Sequence, residues 1–478
     1  MESSKFDEVV SKYRRILNSR SIEYFASSSW DLLEDEWREY LNLESLEDVI
    51  VFVNSSDNLV SADCASIPHS LRDLKANLKL FEYNRKCVEN PSDLWRQWTG
   101  TTRDGLNASF RTISSANGLV RKRIKAKKQH EIDRIVELIS QIQIFQKDSA
   151  DPIDSLVDIG AGIGHLSRMI SIHNNISVMA VEGNQQFTLA ANSLDEKLLL
   201  DSAKIGSRIE NFNVKSTPIR YTNFVTEDLA LKIDDFAVNS AILVGLHCCG
   251  DFSSTILKVF QKSEKSKALV LFGCCYHKEF QCFHFLRPEN NENEREISEN
   301  TSFGKSTVFP LSKKWENVEI DYLLREAACH NNENLEERFL KQKIDLSRYA
   351  RSYLEKWIWK VSELPEDRNI GMCSVKCIEN QTTFEEYIRK AMANRGNHLL
   401  DKVLQIIPQS ELSAHVSSLR SSQFDSFEVL RCMFAPAIES AIIDDRVELL
   451  RENGINSRVV PLFEPSISPR NLAIIAYK

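Results

Sequence analysis

Up to about residue 95 the apolar positions along the chain do not alternate. Phe25, Trp30, Leu32, Leu33, Trp37, Tyr40 and Leu41 fit an amphipathic helix or helix pair. Leu71, Leu74, Leu78, Leu80 and Phe81 continue that character after the helix-start signal Ile67-Pro68-His69-Ser70. Ile132, Ile135, Val136, Ile139, Ile142 and Ile144 then recur at largely helical spacing and predict a face packed against a sheet. From residue 153 the pattern changes. Short apolar runs at 153–158, 176–182, 220–226, 241–247 and 268–273 alternate with helical segments, the mark of a parallel sheet with crossover helices. Residues 310 to about 410 read as helical again, and 290–300 as a charged, mobile loop. A helix over about 427–452 is predicted to end near Gly454. Two strands, Val459–Phe463 and Leu472–Tyr477, follow it across a Pro-containing turn and must pair antiparallel. The fold class is therefore α/β: five parallel strands and a terminal antiparallel hairpin, with helical additions.

The first strand leads into Asp158-Ile159-Gly160-Ala161-Gly162-Ile163-Gly164 and then a helical run beginning at Leu166. Glycines suit such a turn because they accept positive φ and let a ligand approach the backbone closely. The amides opening the helix face that ligand with their hydrogens unsatisfied. Two acids sharpen the reading. Asp158 just ahead of the glycines disfavours a phosphate there, and Glu182 ends the next strand about 20 residues on, where nucleotide folds place the acid that holds ribose hydroxyls. A ligand with a cationic amino group and a ribose, but no pyrophosphate, fits both.

Composition narrows the classes. The chain has 478 residues, 42% apolar and 27% charged, which predicts two or three structural units in a soluble globular protein. Its net charge of −8 gives no global attraction to nucleic acid. The start, Met1-Glu2-Ser3-Ser4-Lys5, lacks the apolar core of a signal peptide, and no run of about 18 apolar residues predicts a membrane span. Eleven cysteines, an odd count, argue for reduced thiols and hence a cytoplasmic or nuclear protein. Against the acidic background, six of the residues from Val120 to Glu131 are Arg or Lys. That run reads either as a solvated helix start or as a phosphate-contacting patch in which Lys127 and Lys128 meet a substrate such as RNA.

Parallel sheets bind ligands at the carboxyl ends of their strands. Here the fourth strand ends in His247-Cys248-Cys249 and the fifth in Cys274-Cys275-Tyr276-His277. Cys248 and Cys274 read as small hydrophobes on the floor of the sheet. Zinc is a competing reading, with Cys282 and His284 nearby, but the usual C-x₂₋₄-C spacing is missing and neighbouring residues on a strand point to opposite sides. No metal is assigned. The remaining reading gives His247 or His277 the role of proton acceptor near neutral pH, with Tyr276 stacking on or orienting the acceptor.

The acid-x-G-x-G-x-G pattern with a later ribose acid resembles the class I S-adenosylmethionine-dependent methyltransferases. Trp30 to Tyr40, Lys127–Glu131, the glycine motif, Gly245–Asp251, Cys274–His277, Phe309–Ser312 and Leu462–Asn471 occur in one order. Together they resemble the methyltransferase-like protein 25 family, including its branch named for a ribosomal-RNA adenine dimethylase domain. The Cys274–His277 segment is also similar to one in tRNA acceptor-stem 2′-O-methyltransferases, where a histidine stands in place of Tyr276. The resemblance implies a Rossmann-like seven-stranded sheet and S-adenosylmethionine held by Asp158, Gly160, Gly162, Gly164 and Glu182. It divides the chain into a helical region at 1–120, a methyltransferase part at 121–285, a helical insertion at 286–426 with a loop at 288–306, and a closing part at 427–478. RNA is the expected substrate class. A protein or small-molecule methyltransferase, favoured by the acidic charge, and a non-catalytic scaffold are the rivals.

Overall fold

The computed structural model describes residues 1–55, 66–87, 124–146, 150–174, 176–205, 217–278, 308–330, 332–341, 345–362, 364, 372–394 and 397–478. Residues 100–118, the expected loop at 288–306, the basic residues 121–123, and Cys282 with His284 lie outside them. The chain divides into two compact units, Met1–Glu82 with Ile320–Glu439, and Tyr83–Glu319 with Ser440–Lys478.

The first unit is helical. Its N-terminal and inserted parts share one core: the Phe25 ring lies 5.5 Å from that of Tyr353 and stacks at 5.8 Å on Phe424. Below these rings Asp425 accepts bonds from the Tyr349 hydroxyl and the Arg348 guanidinium. The helical region and the insertion, distinct in sequence, thus build a single unit. Aromatic positions far apart in the chain complete each other's burial.

The second unit holds the sheet. Its strands are β1 (Ile153–Ile159), β2 (Ser177–Glu182), β3 (Ile219–Thr222), β4 (Ser240–Cys249), β5 (Ser266–Cys274), β6 (Asn456–Pro461) and β7 (Leu472–Tyr477). Among the described residues they form one seven-stranded sheet in the order β3-β2-β1-β4-β5-β7-β6. Strands β1 to β5 are parallel, and β7 pairs antiparallel with both β5 and β6. This is the class I methyltransferase sheet. The helices are α1 (Ala126–Gln146), α2 (His165–His173), α3 (Gln185–Ile205), α4 (Leu229–Phe236), α5 (Asp251–Lys262) and α6 (Ala435–Glu452), the last contributing from Ser440 onward.

Alternation along the strands divides the core. Leu156, Ile242, Val244, Val270 and Ile475 face one side, where Ile132, Ile135, Ile139 and Ile142 of α1 cover them, as their spacing predicts. Val157, Leu243, Leu269 and Ile474 face the other, against Ile256 and Phe260 of α5 and Ile443 and Val447 of α6. The single helix expected over 427–452 is two, Ser422–Cys432 and α6. Pro436 accounts for the break, because a residue without an N–H is tolerated in the first turn of a helix and not in its interior. Gly454 ends α6 in the left-handed conformation, with the Ile455 amide bonded back to Leu450. The third strand stops at Thr222, short of the expected 226.

Because β7 lies between β5 and β6, the last residues belong to the middle of this half of the sheet. A chain ending at residue 455 should therefore lose protease resistance and cooperative unfolding in this unit, checked by limited proteolysis and circular dichroism. Ile474→Ala, at a fully packed position, should lower stability by about 2–5 kcal/mol in urea denaturation.

Candidate active site

The glycine turn sits at the carboxyl end of β1. Gly160, Gly162 and Gly164 all have positive φ, at 76°, 57° and 71°. They differ in what surrounds them. A Cβ on Gly164 would collide with the Arg220 guanidinium, and one on Gly160 would press on the Phe252 ring at 3.0 Å. One on Gly162 would meet nothing within 4 Å. Gly164 and Gly160 thus have glycine for packing, whereas Gly162 borders open space that a ligand can take up.

Glu182 ends β2 and accepts the amides of Gly162 and Asn184, both at 2.8 Å. The acid expected on the ribose therefore also ties the glycine turn to the second strand. Asp158 is 2% exposed and accepts the Ser167 hydroxyl of α2. Burial raises its pKa, against the pull of that hydroxyl and of the nearby Lys128 and Arg220 charges. Its place is beneath the turn, holding strand to helix. Behind α2, Asp195 binds both Arg168 and Arg220, at 2.6 and 2.7 Å, and so locks α2, α3 and β3 together. Phe224, just past β3, is 61% exposed with its ring beside Gly183.

The second group of residues gathers at the ends of β4 and β5. Cys249 pairs in register with Cys274, and the Gly250 amide bonds the Cys274 carbonyl at 3.0 Å. The two strand ends are thus neighbours, as the topology predicts. His247 has a left-handed backbone, φ 63°, uncommon for a residue with a Cβ. Its Nε2 lies 3.1 Å from both oxygens of Glu131 on α1. Glu131 is 1% exposed and also accepts the Ser468 hydroxyl at 2.7 Å. Burial pushes its pKa up, but His247, Ser468 and Lys128 together outweigh that and leave it below its ordinary value. Lys127 and Lys128 stand 3.9 and 3.8 Å from the same carboxylate, so part of their charge is answered from within the unit. Burial also lowers the pKa of Lys128.

Glu131 did not stand out as a functional residue from sequence, yet a signal existed. It falls on the α1 stripe that continues through Ile135, Leu138 and Ile142, and a carboxylate on a buried face calls for a partner. The same helix explains the Leu462–Asn471 motif. His130 Nε2 accepts the Glu464 amide at 2.9 Å, and Arg134 donates to the Leu462 carbonyl at 2.9 Å. The β6–β7 turn is thereby fastened to α1.

Tyr276 departs from its expected role. It is 1% exposed, its hydroxyl reaches the Gly273 carbonyl at 3.4 Å, and its ring lies between the guanidiniums of Arg446 and Arg470, 5.1 and 5.6 Å from its centre. A ring so buried presents no exposed face for a substrate to stack on. Arg446, fully buried, is a residue the sequence did not reveal; burial lowers its pKa. His277 is half-buried at the turn after β5. Cys248 lies in the core, as expected of a small hydrophobe. Cys274 is buried too, and its sulfur stands 3.0 Å from that of Cys249. The contact with Cys274 lowers the Cys249 pKa to about 6, against the opposing effect of burial.

The glycine turn, Glu182 and the ends of β4 and β5 all lie within a stretch that matches a known domain. Residues 127–280 match a family model described as a methyltransferase domain. The chain is 27% identical over 323 residues to the probable methyltransferase-like protein 25 of Homo sapiens, covering 64% of this chain and 48% of that protein. Its Mus musculus counterpart is 29% identical over 271 residues, 54% of this chain and 40% of that one. This chain carries a methyltransferase domain related to methyltransferase-like protein 25. The matched stretch spans about half the length of those relatives or less. A solved coclaurine N-methyltransferase, bound to N-methylheliamine and SAH, aligns with 99% of this chain and 98% of that one. At 10% identity and a TM-score of 0.19, that likeness supports no argument.

Within the methyltransferase domain, the Glu131 carboxylate has a testable signature. An acid whose folded pKa is depressed adds stability that is present above its unfolded value, near 4.5, and is lost as pH falls through the folded value. Glu131→Gln should therefore be less stable than wild type at neutral pH. The difference should shrink on acidification below about pH 4.5, measured as urea midpoints against pH.

Proposed function

We propose that this chain is an S-adenosylmethionine-dependent methyltransferase with its cofactor on the glycine turn and its acceptor at the ends of β4 and β5. The observation that carries this is Gly162: left-handed, bonded through its amide to Glu182, and bordered by open space where any side chain would project. Gly160, Gly162 and Gly164 shape the cradle, Asp158 fixes it from beneath, and Glu182 presents its carboxylate to ribose hydroxyls. Phe224, exposed beside Gly183, is placed to cover the base. The cofactor, when bound, supplies an electrophilic methyl group on a sulfonium.

His247 is the group that takes the acceptor's proton. A carboxylate only accepts hydrogen bonds, so Glu131 fixes the imidazole with its proton on Nε2 and leaves Nδ1 as the base. Glu131 thus acts as a positioning residue. His277 stands two residues beyond the thiols at the neighbouring strand end and would shape the acceptor's entry. RNA is the substrate class we favour, on the strength of the basic run from Arg121 to Lys128, of whose described members Lys125 precedes α1 and Lys127 and Lys128 lie in its first turn. Free thiols at the strand ends support a reducing compartment, cytoplasm or nucleus. Among the described helices none is long and apolar enough to cross a membrane.

Calorimetry with S-adenosylhomocysteine tests the cofactor site. Gly162→Val should abolish binding in a protein still folded by circular dichroism, and Glu182→Ala should weaken it by about 1–3 kcal/mol. Unchanged affinity in both would remove the assignment. Crosslinking to labelled RNA, lost when the basic residues of 121–128 are charge-reversed, tests the substrate class. With a substrate in hand, His247→Ala should lower kcat on the order of 10²–10⁴-fold, the usual contribution of a positioned base.

A further inference from the structure

The proton-handling site leaves one cluster without a role. The sulfurs of Cys249, Cys274 and Cys275 lie within 4.8 Å of one another, and those of Cys249 and Cys274 are 3.0 Å apart. Two adjacent cysteines on a regular strand would point to opposite faces. Here β5 ends at Cys274, and Cys275 takes a left-handed backbone with φ 43°. That reversal brings its side chain round to the side of its neighbour. The third sulfur arrives from the adjacent strand, 25 residues away in sequence, because Cys249 and Cys274 are register partners. The spacing rule that argues against a metal here describes sites built on a single turn. This cluster is assembled instead by strand pairing and one reversed residue.

We propose that Cys249, Cys274 and Cys275 form a three-thiolate site for zinc(II). A zinc–sulfur bond of about 2.3 Å in a tetrahedron sets sulfurs about 3.8 Å apart; Cys249 and Cys274, at 3.0 Å, would open by less than about 1 Å around an ion, and all three sulfurs already lie within 4.8 Å. Cys274 is buried while Cys249 and Cys275 are half-buried, which gives an ion a route in and a low-dielectric seat. Binding displaces whatever thiol protons remain to solvent, and the thiolate charge lies two residues from His247 and three from Lys278 in sequence. Three protein sulfurs leave the fourth position to water, the arrangement of zinc sites that remain open to a further ligand. The three thiols are none of the residues assigned to the cofactor, so the metal proposal does not depend on the methyltransferase reading.

The test uses the full chain, reduced, stripped of metal with a chelator and titrated with cobalt(II) alone. We expect one cobalt per chain, a thiolate-to-cobalt charge-transfer band, and loss of that band when one equivalent of zinc(II) is added. The band should vanish in Cys249→Ser and in Cys275→Ser and persist in Cys87→Ser, a cysteine of the same unit outside the cluster. If a serine variant fails to fold, thiol alkylation of the wild type replaces it: zinc should protect Cys249, Cys274 and Cys275, read by mass spectrometry. Absence of the band in folded, reduced protein would overturn the proposal, as would equal alkylation with and without zinc. Rapid loss of two thiols to a peroxide with no metal uptake after reduction would overturn it in favour of a redox pair.

Discussion

A single buried carboxylate joins the parts on which the site depends. Glu131 lies on α1, ahead of the first strand, yet it binds His247 at the end of β4 and Ser468 in the turn between β6 and β7. Those three positions come from the front, the middle and the end of the sheet unit's sequence. An unpaired carboxylate there would be costly to bury, so the fold that buries Glu131 must also deliver both partners. The same helix fastens the β6–β7 turn through His130 and Arg134. Closing the sheet and orienting the candidate base are therefore one event.

Backbone strain is concentrated where chemistry is expected. Of the described residues other than glycine, four have positive φ, and two of these, His247 and Cys275, lie at the carboxyl ends of β4 and β5. Left-handed conformations at such residues persist only where surrounding contacts hold them. The Glu131 bonds hold His247. At the β5 end, the Gly250 amide on the Cys274 carbonyl and the Asp251 amide on the Lys278 carbonyl pin the turn that contains Cys275. Both reversals turn polar side chains away from the regular alternation of the sheet, one bringing an imidazole to its carboxylate and the other gathering three sulfurs.

The glycine-turn side is built by the opposite means. Its three reversed residues are glycines, at which the left-handed region carries no Cβ penalty, and its support is electrostatic: Glu182 on the turn amides, Asp158 beneath, and the Arg168–Asp195–Arg220 network behind. The acidic side chains there do two jobs. They hold the loop in shape, and Glu182 still has lone pairs to offer a ligand.

Much of this was legible in the chain itself, and for a physical reason. Period and composition are local, so the alternation of buried strands and amphipathic helices, the glycine turn with its two acids, and the antiparallel close of the sheet could be read residue by residue. What depended on pairing between distant segments could not. That the N-terminal helices and the insertion form one unit was decided by aromatic contacts between Phe25, Tyr353 and Phe424. Tyr276 reads in sequence as a ring that meets the acceptor, and it is buried beside two arginines, one of them Arg446 some 170 residues on. Adjacent cysteines read as opposed and converge, because one backbone angle at Cys275 and the register of β4 on β5 override alternation. The sequence by itself determined the elements, their order and the glycine turn. Tertiary structure alone decided which carboxylate meets His247 and which sulfurs meet each other, since both follow from long-range register and burial.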